Sequence, residues 1–114
     1  MGSDEIAGGW MRAIPLAELP ERKAKSVQVG ETEVLLYRMG DSVLAAANRC
    51  THQGAPLDRG VVKVAGSLKT VVCPLHGSTF LLTDGRVLRG PATVRLPIFD
   101  ARIDGDLVEV RPHG

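Results

Sequence analysis

Turn-forming residues interrupt this chain so often that they restrict it to short elements. Its 114 residues include 13 glycines and 7 prolines. No stretch shows a sustained apolar stripe with the helical period, and the runs between the breaks are short and β-like. Short runs joined by tight glycine-containing links predict an all-β protein built from antiparallel hairpins.

Strands are predicted along almost the whole chain, with a helical turn or short loop between Pro15 and Pro20. The predicted strands are 10–14, 26–29, 32–39, 42–47, 68–73, 79–82, 86–88, 94–103 and 106–112. Residues 61–69 fit either a longer hairpin or a loop near a partner surface, and the sequence assigns them no role. The small, polar residues 1–9 are predicted to be a disordered tail, native or not, which leaves one domain over 10–112.

Composition narrows the class of protein and partner. The chain is 44% hydrophobic and 24% charged, with a formal net charge of +1. These values are typical of a soluble domain with one modest core. No Lys/Arg stripe is evident, which argues against a nucleic acid partner. No apolar run is long enough to cross a bilayer and no hydrophobic leader opens the chain, so we expect no membrane partner and a cytoplasmic location.

Two short motifs contain both cysteines and two of the three histidines. "CTHQGAP" holds Cys50 and His52, and "CPLHGS" holds Cys73 and His76. Each motif follows a strand-like run and is rich in glycine and proline, which predicts that it forms a loop. Thiolate and imidazole ligands favour zinc or an iron–sulfur centre over calcium or magnesium. In a reducing compartment, metal binding is also more usual for such cysteines than a disulfide.

The spacing of the ligands favours an iron–sulfur centre. Structural zinc sites usually place like ligands close together, whereas here each pair contains one cysteine and one histidine. Mixed pairs allow two cysteines to bind one iron and two histidines to bind the other, which is the Rieske [2Fe-2S] pattern. A zinc-stabilised interaction module without redox function remains the alternative.

The chain resembles the Rieske ferredoxins and related Rieske domains. "CTHQGAPLDRG" and "CPLHGSTF" match the two halves of the family motif, and "GPATVRLP" is similar to the proline loop that covers the cluster. The resemblance implies an antiparallel β sandwich or barrel as a base domain, formed by residues 10–46 and 94–112. It also implies a small inserted cluster-binding subdomain over 47–93.

Carried over residue by residue, the resemblance implies a complete ligand set for one cluster. Cys50 and Cys73 would bind the inner iron, and His52 and His76 the outer, more exposed iron. The residues implied to support the cluster are Gly54, Gly77, Ser78 and Pro91. The residues that could form an apolar docking rim around the electron exit are Leu57, Pro74 and Leu75.

Two departures distinguish the chain from the membrane-bound cytochrome-complex type. Those proteins carry an extra cysteine in each loop where this chain has Ala55 and Leu75, so no disulfide can tie the loops together. They also hold a tyrosine where this chain has Phe80. The chain therefore resembles the soluble ferredoxins of bacterial ring-hydroxylating dioxygenases. Without the tyrosine hydroxyl, we expect a reduction potential at the low end of the Rieske range, about −150 mV.

The implied function is one-electron transfer. The chain would receive an electron from a flavin-dependent reductase and pass it to a terminal oxygenase, through transient contacts and as a monomer. With only three histidines it lacks a 2-His-1-carboxylate set, so we expect a carrier and not a complete enzyme. The alternative within the same family is a small Rieske subunit of an assimilatory nitrite reductase-like complex.

Overall fold

The computed structural model describes residues 9–113, whose regular secondary structure is almost entirely β. Two short 3-10 turns cover Leu16–Glu18 and Leu57–Arg59. The strands are β1 (Met11–Pro15), β2 (Lys25–Val29), β3 (Thr32–Met39), β4 (Ser42–Ala47), β5 (Val61–Ala65), β6 (Leu68–Val72), β7 (Thr79–Leu81), β8 (Val87–Arg89), β9 (Ile98–Asp104) and β10 (Leu107–Pro112).

Six strands form one antiparallel sheet in the order β1-β10-β9-β4-β3-β2. Its two edge strands, β1 and β2, lie against each other, so the sheet nearly closes into a barrel. Alternate residues of the strands point inward and form a buried core. That core includes Val34, Leu36, Ala45, Val108 and Val110. The predicted all-β fold of the Rieske type is confirmed.

The other four strands form a second antiparallel sheet, in the order β5-β6-β7-β8. The chain leaves the barrel after β4 and returns at β9, and these two strands pair through Ala46 and Ile98. The second sheet packs against residues of β3 and β4 that point away from the barrel interior. The buried residues of this second core include Leu35, Tyr37, Ala46, Leu57, Val71 and Phe80. The domain boundaries at 46/47 and 93/94 stay a prediction.

The outer face of β9 and β10 carries paired charges. Arg102 contacts the buried Glu109 at 2.7 Å, and Arg111 contacts Asp100 at 3.4 Å. The Trp10 ring lies close to both guanidinium groups, at 4.3 Å from Arg102 and 4.4 Å from Arg111. Such cation–π contacts fix the start of β1 on this face. Trp10 is therefore a packing residue of the barrel.

The predicted strands differ from the observed ones in two places. Residues 61–69 are mostly strand, because β5 and β6 form a hairpin that turns at Gly66 and Ser67. Residues 94–97, predicted as strand, are a loop, and β9 begins only at Ile98. In this loop the N–H of Leu96 donates to the carbonyl of Gly85 instead of joining a ladder. The predicted tail, apart from Gly9, lies outside the described residues.

Candidate metal centre

The first ligand loop follows β4 and is closed by its own backbone. The N–H of Cys50 donates to the carbonyl of Ala55 at 2.8 Å, and the carbonyl of Cys50 accepts from the N–H of Gly54 at 2.8 Å. Gly54 has a φ of +75°, a backbone conformation that residues other than glycine adopt only with strain. A Cβ at this position would also lie 3.2 Å from the guanidinium of Arg49.

The second ligand loop, between β6 and β7, repeats this hydrogen-bond pattern. The N–H of Cys73 donates to the carbonyl of Ser78 at 2.8 Å, and the carbonyl of Cys73 accepts from the N–H of Gly77 at 3.2 Å. Gly77 has a φ of +77°, while a Cβ there would meet no protein atom within 4 Å. The glycine is therefore required by the shape of the turn and not by crowding from other protein atoms.

The two loops bring both cysteine side chains together below the surface. Cys50 is 2% exposed and Cys73 is 4% exposed, and both are free thiols. Burial raises the pKa of Cys73, the N–H groups of Leu75 and His76 lower it by donating to the sulfur, and the adjacent thiol of Cys50 raises it. The overall direction is upward because burial dominates, while the two backbone N–H groups are placed to stabilise a thiolate ligand.

The two histidine side chains lie side by side at the surface. Both are exposed, and the ring centroids of His52 and His76 are 5.5 Å apart with an interplanar angle of 76°. All four residues predicted as ligands are thus in the two adjoining loops, sulfur on the buried side and nitrogen on the exposed side. Among residues 9–113, no three His, Cys, Asp or Glu side chains converge on one point that could hold a single metal ion.

A third loop, residues 90–97, is tied to both ligand loops. The buried N–H of Ala92 donates to the hydroxyl oxygen of Ser78 at 3.0 Å. On the other side, the hydroxyl of Thr51 donates to the carbonyl of Val94 at 2.6 Å. The predicted Pro91 lies in this loop after a cis peptide bond, and it is exposed. Sequence reasoning found the loop but not the contacts of Thr51, because its partner is 43 residues away.

Asn48 fixes the base of the first loop, and sequence reasoning did not identify it. Its side chain is buried and exchanges two hydrogen bonds with Asp58, one to the carboxylate at 2.8 Å and one from the backbone N–H at 2.7 Å. Its own N–H donates to the carbonyl of Glu33 at 2.9 Å. These bonds join the end of β4 to β3 and to the turn at Leu57–Arg59. A buried asparagine two residues before a ligand was the available clue.

The structure excludes one of the three residues predicted for the docking rim, and a docking role for the other two stays a prediction. Leu57 is completely buried in the core between the two sheets, so it cannot contact a partner. Its location depends on how the 3-10 turn packs against β3 and β4, which the local sequence does not reveal. Pro74 is exposed, and Leu75 is 57% exposed beside the histidines. Val94, in the third loop, is 60% exposed and was not predicted.

The family of the chain follows from its sequence as well as its loops. The profile of the Rieske [2Fe-2S] domain matches residues 9–100. The chain belongs to this family. The cofactor of the family is one Rieske [2Fe-2S] cluster with two cysteine and two histidine ligands, as the motif predicted. The residues present fit such a cluster, because Cys50 and Cys73 form a buried pair of sulfur ligands and His52 and His76 form an exposed pair of nitrogen ligands.

Relatives of this Rieske chain include ferredoxin components. It is 31% identical, over 89% of its length and 93% of the relative's, to the ferredoxin component of the naphthalene 1,2-dioxygenase system of Pseudomonas aeruginosa. Its fold matches the ferredoxin of carbazole 1,9a-dioxygenase from Nocardioides aromaticivorans IC177 with a TM-score of 0.81 and 33% identity, covering 93% of this chain and 100% of the other. The Rieske chain is an electron carrier and not a complete enzyme.

Two further solved structures bear on the partners of a Rieske protein of this kind. The chain matches a chain in a complex of reduced oxygenase and oxidised ferredoxin of carbazole 1,9a-dioxygenase, with a TM-score of 0.73 and 28% identity over 90% of this chain and 93% of that one. It also matches a nitrite reductase small subunit from Mycobacterium tuberculosis, with a TM-score of 0.77 and 28% identity. This match covers 92% of this chain and 95% of the other. No helix within residues 9–113 is long and apolar enough to cross a membrane.

Proposed function

We propose that this Rieske protein carries single electrons from a flavin-dependent reductase to a terminal oxygenase of a ring-hydroxylating system. The observation that carries the proposal is the pairing of buried Cys50 and Cys73 with exposed His52 and His76. The sulfur side anchors the cluster in the core, and the imidazole side reaches solvent where a partner can approach. When bound, the cluster accepts and releases one electron.

The residues around the ligands prepare this site for reversible reduction. Two neutral histidines in place of thiolates reduce the negative charge of the site, which makes addition of an electron easier. Hydrogen bonds to sulfur stabilise the reduced state further. The hydroxyl oxygen of Ser78 accepts from Ala92, so its hydrogen remains available for donation to a cluster sulfur. Phe80, buried close by, has no hydroxyl to donate.

Contact with partners would use the exposed tip formed by the ligand loops and the third loop. Pro74, Leu75 and Val94 present apolar surface there, beside the histidine rings. A small apolar area suits the weak, transient encounters that are typical of electron carriers. Monomeric state and cytoplasmic location are part of the same proposal.

Spectroscopy of the purified protein tests the ligand set. Visible absorption and low-temperature EPR, before and after dithionite reduction, should show a brown protein with a rhombic signal whose average g lies below that of all-cysteine clusters. His76→Ala should abolish that signal, whereas His113→Ala, which changes the remaining histidine, should leave it unchanged. A colourless protein that contains zinc would contradict the proposal and support the interaction module.

A second candidate function keeps the cluster and changes the partner. The structural match to a nitrite reductase small subunit supports it, although the dioxygenase ferredoxins are the better supported relatives. Size-exclusion chromatography of the protein with a sirohaem enzyme distinguishes the two. A stable complex would favour the subunit role, and separate elution with rapid electron transfer to an oxygenase would favour the carrier role.

A further inference from the structure

Charge is distributed very unevenly between the two halves of this nearly neutral protein. Residues 48–97, which contain the ligand loops and the second sheet, hold seven of the 14 Lys and Arg residues but only two of the 13 Asp and Glu residues. The seven are Arg49, Arg59, Lys63, Lys69, Arg86, Arg89 and Arg95. The rest of the chain holds the remaining seven cations and 11 acids. Residues 48–97 therefore have a formal charge of +5 and the rest of the chain −4, of which −2 belongs to residues 1–8 and −2 to the barrel residues.

The two acidic residues of the cluster-bearing half do little to neutralise its tip. Asp58 is bonded to Asn48 below the first ligand loop, and Asp84 pairs with Arg86 at 3.0 Å. The N–H and guanidinium of Arg86 lower the pKa of Asp84, so that carboxylate is already committed to a cation at neutral pH.

Three arginines lie in or next to the loops that form the tip. Arg49 precedes the first ligand loop, its guanidinium lies against Gly54, and it lines a groove of about 550 Å³ together with His52. Arg89 and Arg95 flank the apolar part of the third loop, and all three side chains are exposed. Among residues 9–113 none of the three forms an ion pair. Their charges are not fully neutralised, although Arg49 shares a groove with Glu31 and Glu33, and Arg95 helps to lower the pKa of Asp84.

Two turns with acidic residues lie at the opposite end of the barrel. The turns between β3 and β4 and between β9 and β10 contain Asp41, Asp104 and Asp106. In these antiparallel pairs, β4 ends and β9 begins at the ligand loops, while the two turns connect the other ends of the same strands. Glu31 and Glu33, at the turn between β2 and β3, lie at the cluster end, so the separation of charge along the barrel is partial.

We propose that Arg49, Arg89 and Arg95 form a cationic rim that docks the cluster-bearing tip onto an acidic face of its redox partner. Leu75 and Val94 supply the apolar centre of the contact, an arrangement common in protein interfaces. Opposite charges steer the encounter and orient it, so that the histidines meet the partner first. This inference rests on the proposed function and specifies the kind of partner surface that it uses.

Electron transfer to two small acceptors of opposite charge tests the rim. The reduced holoprotein is mixed in a stopped-flow instrument with an anionic plastocyanin or a cationic cytochrome c, at ionic strengths from about 10 mM to about 1 M. Because the net charge is only +1, a uniform charge distribution predicts almost no salt dependence. A cationic rim predicts that the rate with plastocyanin falls roughly tenfold as salt rises, and that the rate with cytochrome c increases.

Charge-reversal variants locate the effect. Arg49→Glu, Arg89→Glu and Arg95→Glu together should reverse both salt dependences. Each arginine substitution is also made alone, and Lys63→Glu is the control. Lys63 lies in the same half of the chain but on β5, in the hairpin that leads away from Cys73. Lys63→Glu should change the salt dependence of the electron-transfer rate much less than the single arginine substitutions do. Salt-independent rates in the original protein, or equal effects of Lys63→Glu and Arg49→Glu, would overturn the proposal.

Two controls separate this proposal from others. A rhombic EPR signal in every variant shows that the cluster is present, so a flat salt dependence then contradicts the rim and leaves the carrier function intact. Loss of the signal in the original protein contradicts the carrier function itself. Tight binding of a short DNA duplex at moderate salt would assign the cationic end to nucleic acid and overturn the docking proposal.

Discussion

The buried hydroxyl oxygen of Ser78 accepts a hydrogen bond from the backbone N–H of Ala92 at 3.0 Å, across 14 residues of sequence. This contact joins the second ligand loop to the loop that contains Pro91. It also leaves the hydroxyl hydrogen free to donate to another group. Ser78 therefore connects loop packing with the electrostatics of the site.

We predict that Ser78→Ala lowers the reduction potential. A hydrogen bond to a charged group is worth about 1.5–3 kcal/mol, so if it forms mainly in the reduced state its loss lowers the potential by at most roughly 65–130 mV. Protein-film voltammetry measures this change. Thr79→Ala is the control, because the hydroxyl of Thr79 bonds to the carbonyl of Gly77 within its own loop. A potential that is unchanged in Ser78→Ala would show that the hydroxyl does not reach a cluster sulfur.

We predict a potential near −150 mV for the original protein, and an increase in Phe80→Tyr. The added hydroxyl would supply a donor at a completely buried position, with a shift of at most roughly 65–130 mV upward. Tyr37→Phe removes a hydroxyl from the same core and should leave the potential unaltered. An original potential well above zero would contradict the expectation for a site without the tyrosine.

Two leucines that were both predicted for the docking rim should respond to substitution in opposite ways. Leu57→Ala should decrease the free energy of unfolding by about 2–5 kcal/mol, because its side chain is completely buried. Leu75→Ala should change stability by less than about 0.5 kcal/mol and slow electron transfer to the partner, because the side chain is exposed beside the histidines. Urea unfolding and stopped-flow kinetics measure these effects. A large loss of stability in Leu75→Ala would contradict its assignment to the surface.

Asp100 should contribute to loss of stability in acid. Its pKa is lowered by the hydrogen bond with His113, opposed by burial and helped by Arg111. A carboxyl group whose pKa is lower in the folded state stabilises the protein above its unfolded value, about 3.9. That stabilisation is lost as pH falls through the folded value. Asp100→Asn should therefore flatten the decline in melting temperature below about pH 4, while Asp41→Asn, in an exposed turn, should not. Identical acid profiles would refute this role.

The sequence predicts the strands of the barrel and the ligand residues well, because short stretches of neighbouring residues determine both. The runs 32–39 and 42–47 are short and β-like, with turn residues at Gly30 and Gly40, and the observed β3 and β4 have the same limits. The two Cys/His motifs likewise contain both the ligands and the glycines that shape their loops. Local patterns of this kind need no knowledge of the tertiary fold.

Features that depend on distant partners were not predictable in the same way. Leu57 has the composition of a docking residue and becomes a core residue only because the second sheet packs on β3 and β4. Residues 94–97 look like strand, yet their backbone groups bond to Thr51 and Gly85 in other loops. The cationic tip was also missed, since a net charge of +1 conceals opposite charges in the two halves.

The pairing of Ala46 with Ile98 has a consequence for how such a protein could evolve. The cluster-bearing insertion begins and ends at neighbouring positions on adjacent strands, so a short link could replace it without breaking the barrel's hydrogen-bond ladder. Its removal would expose Leu35 and Tyr37, which the insertion now covers. A transplanted module would therefore need a recipient barrel with one apolar outer face, and a barrel that lost it would need to make that face polar.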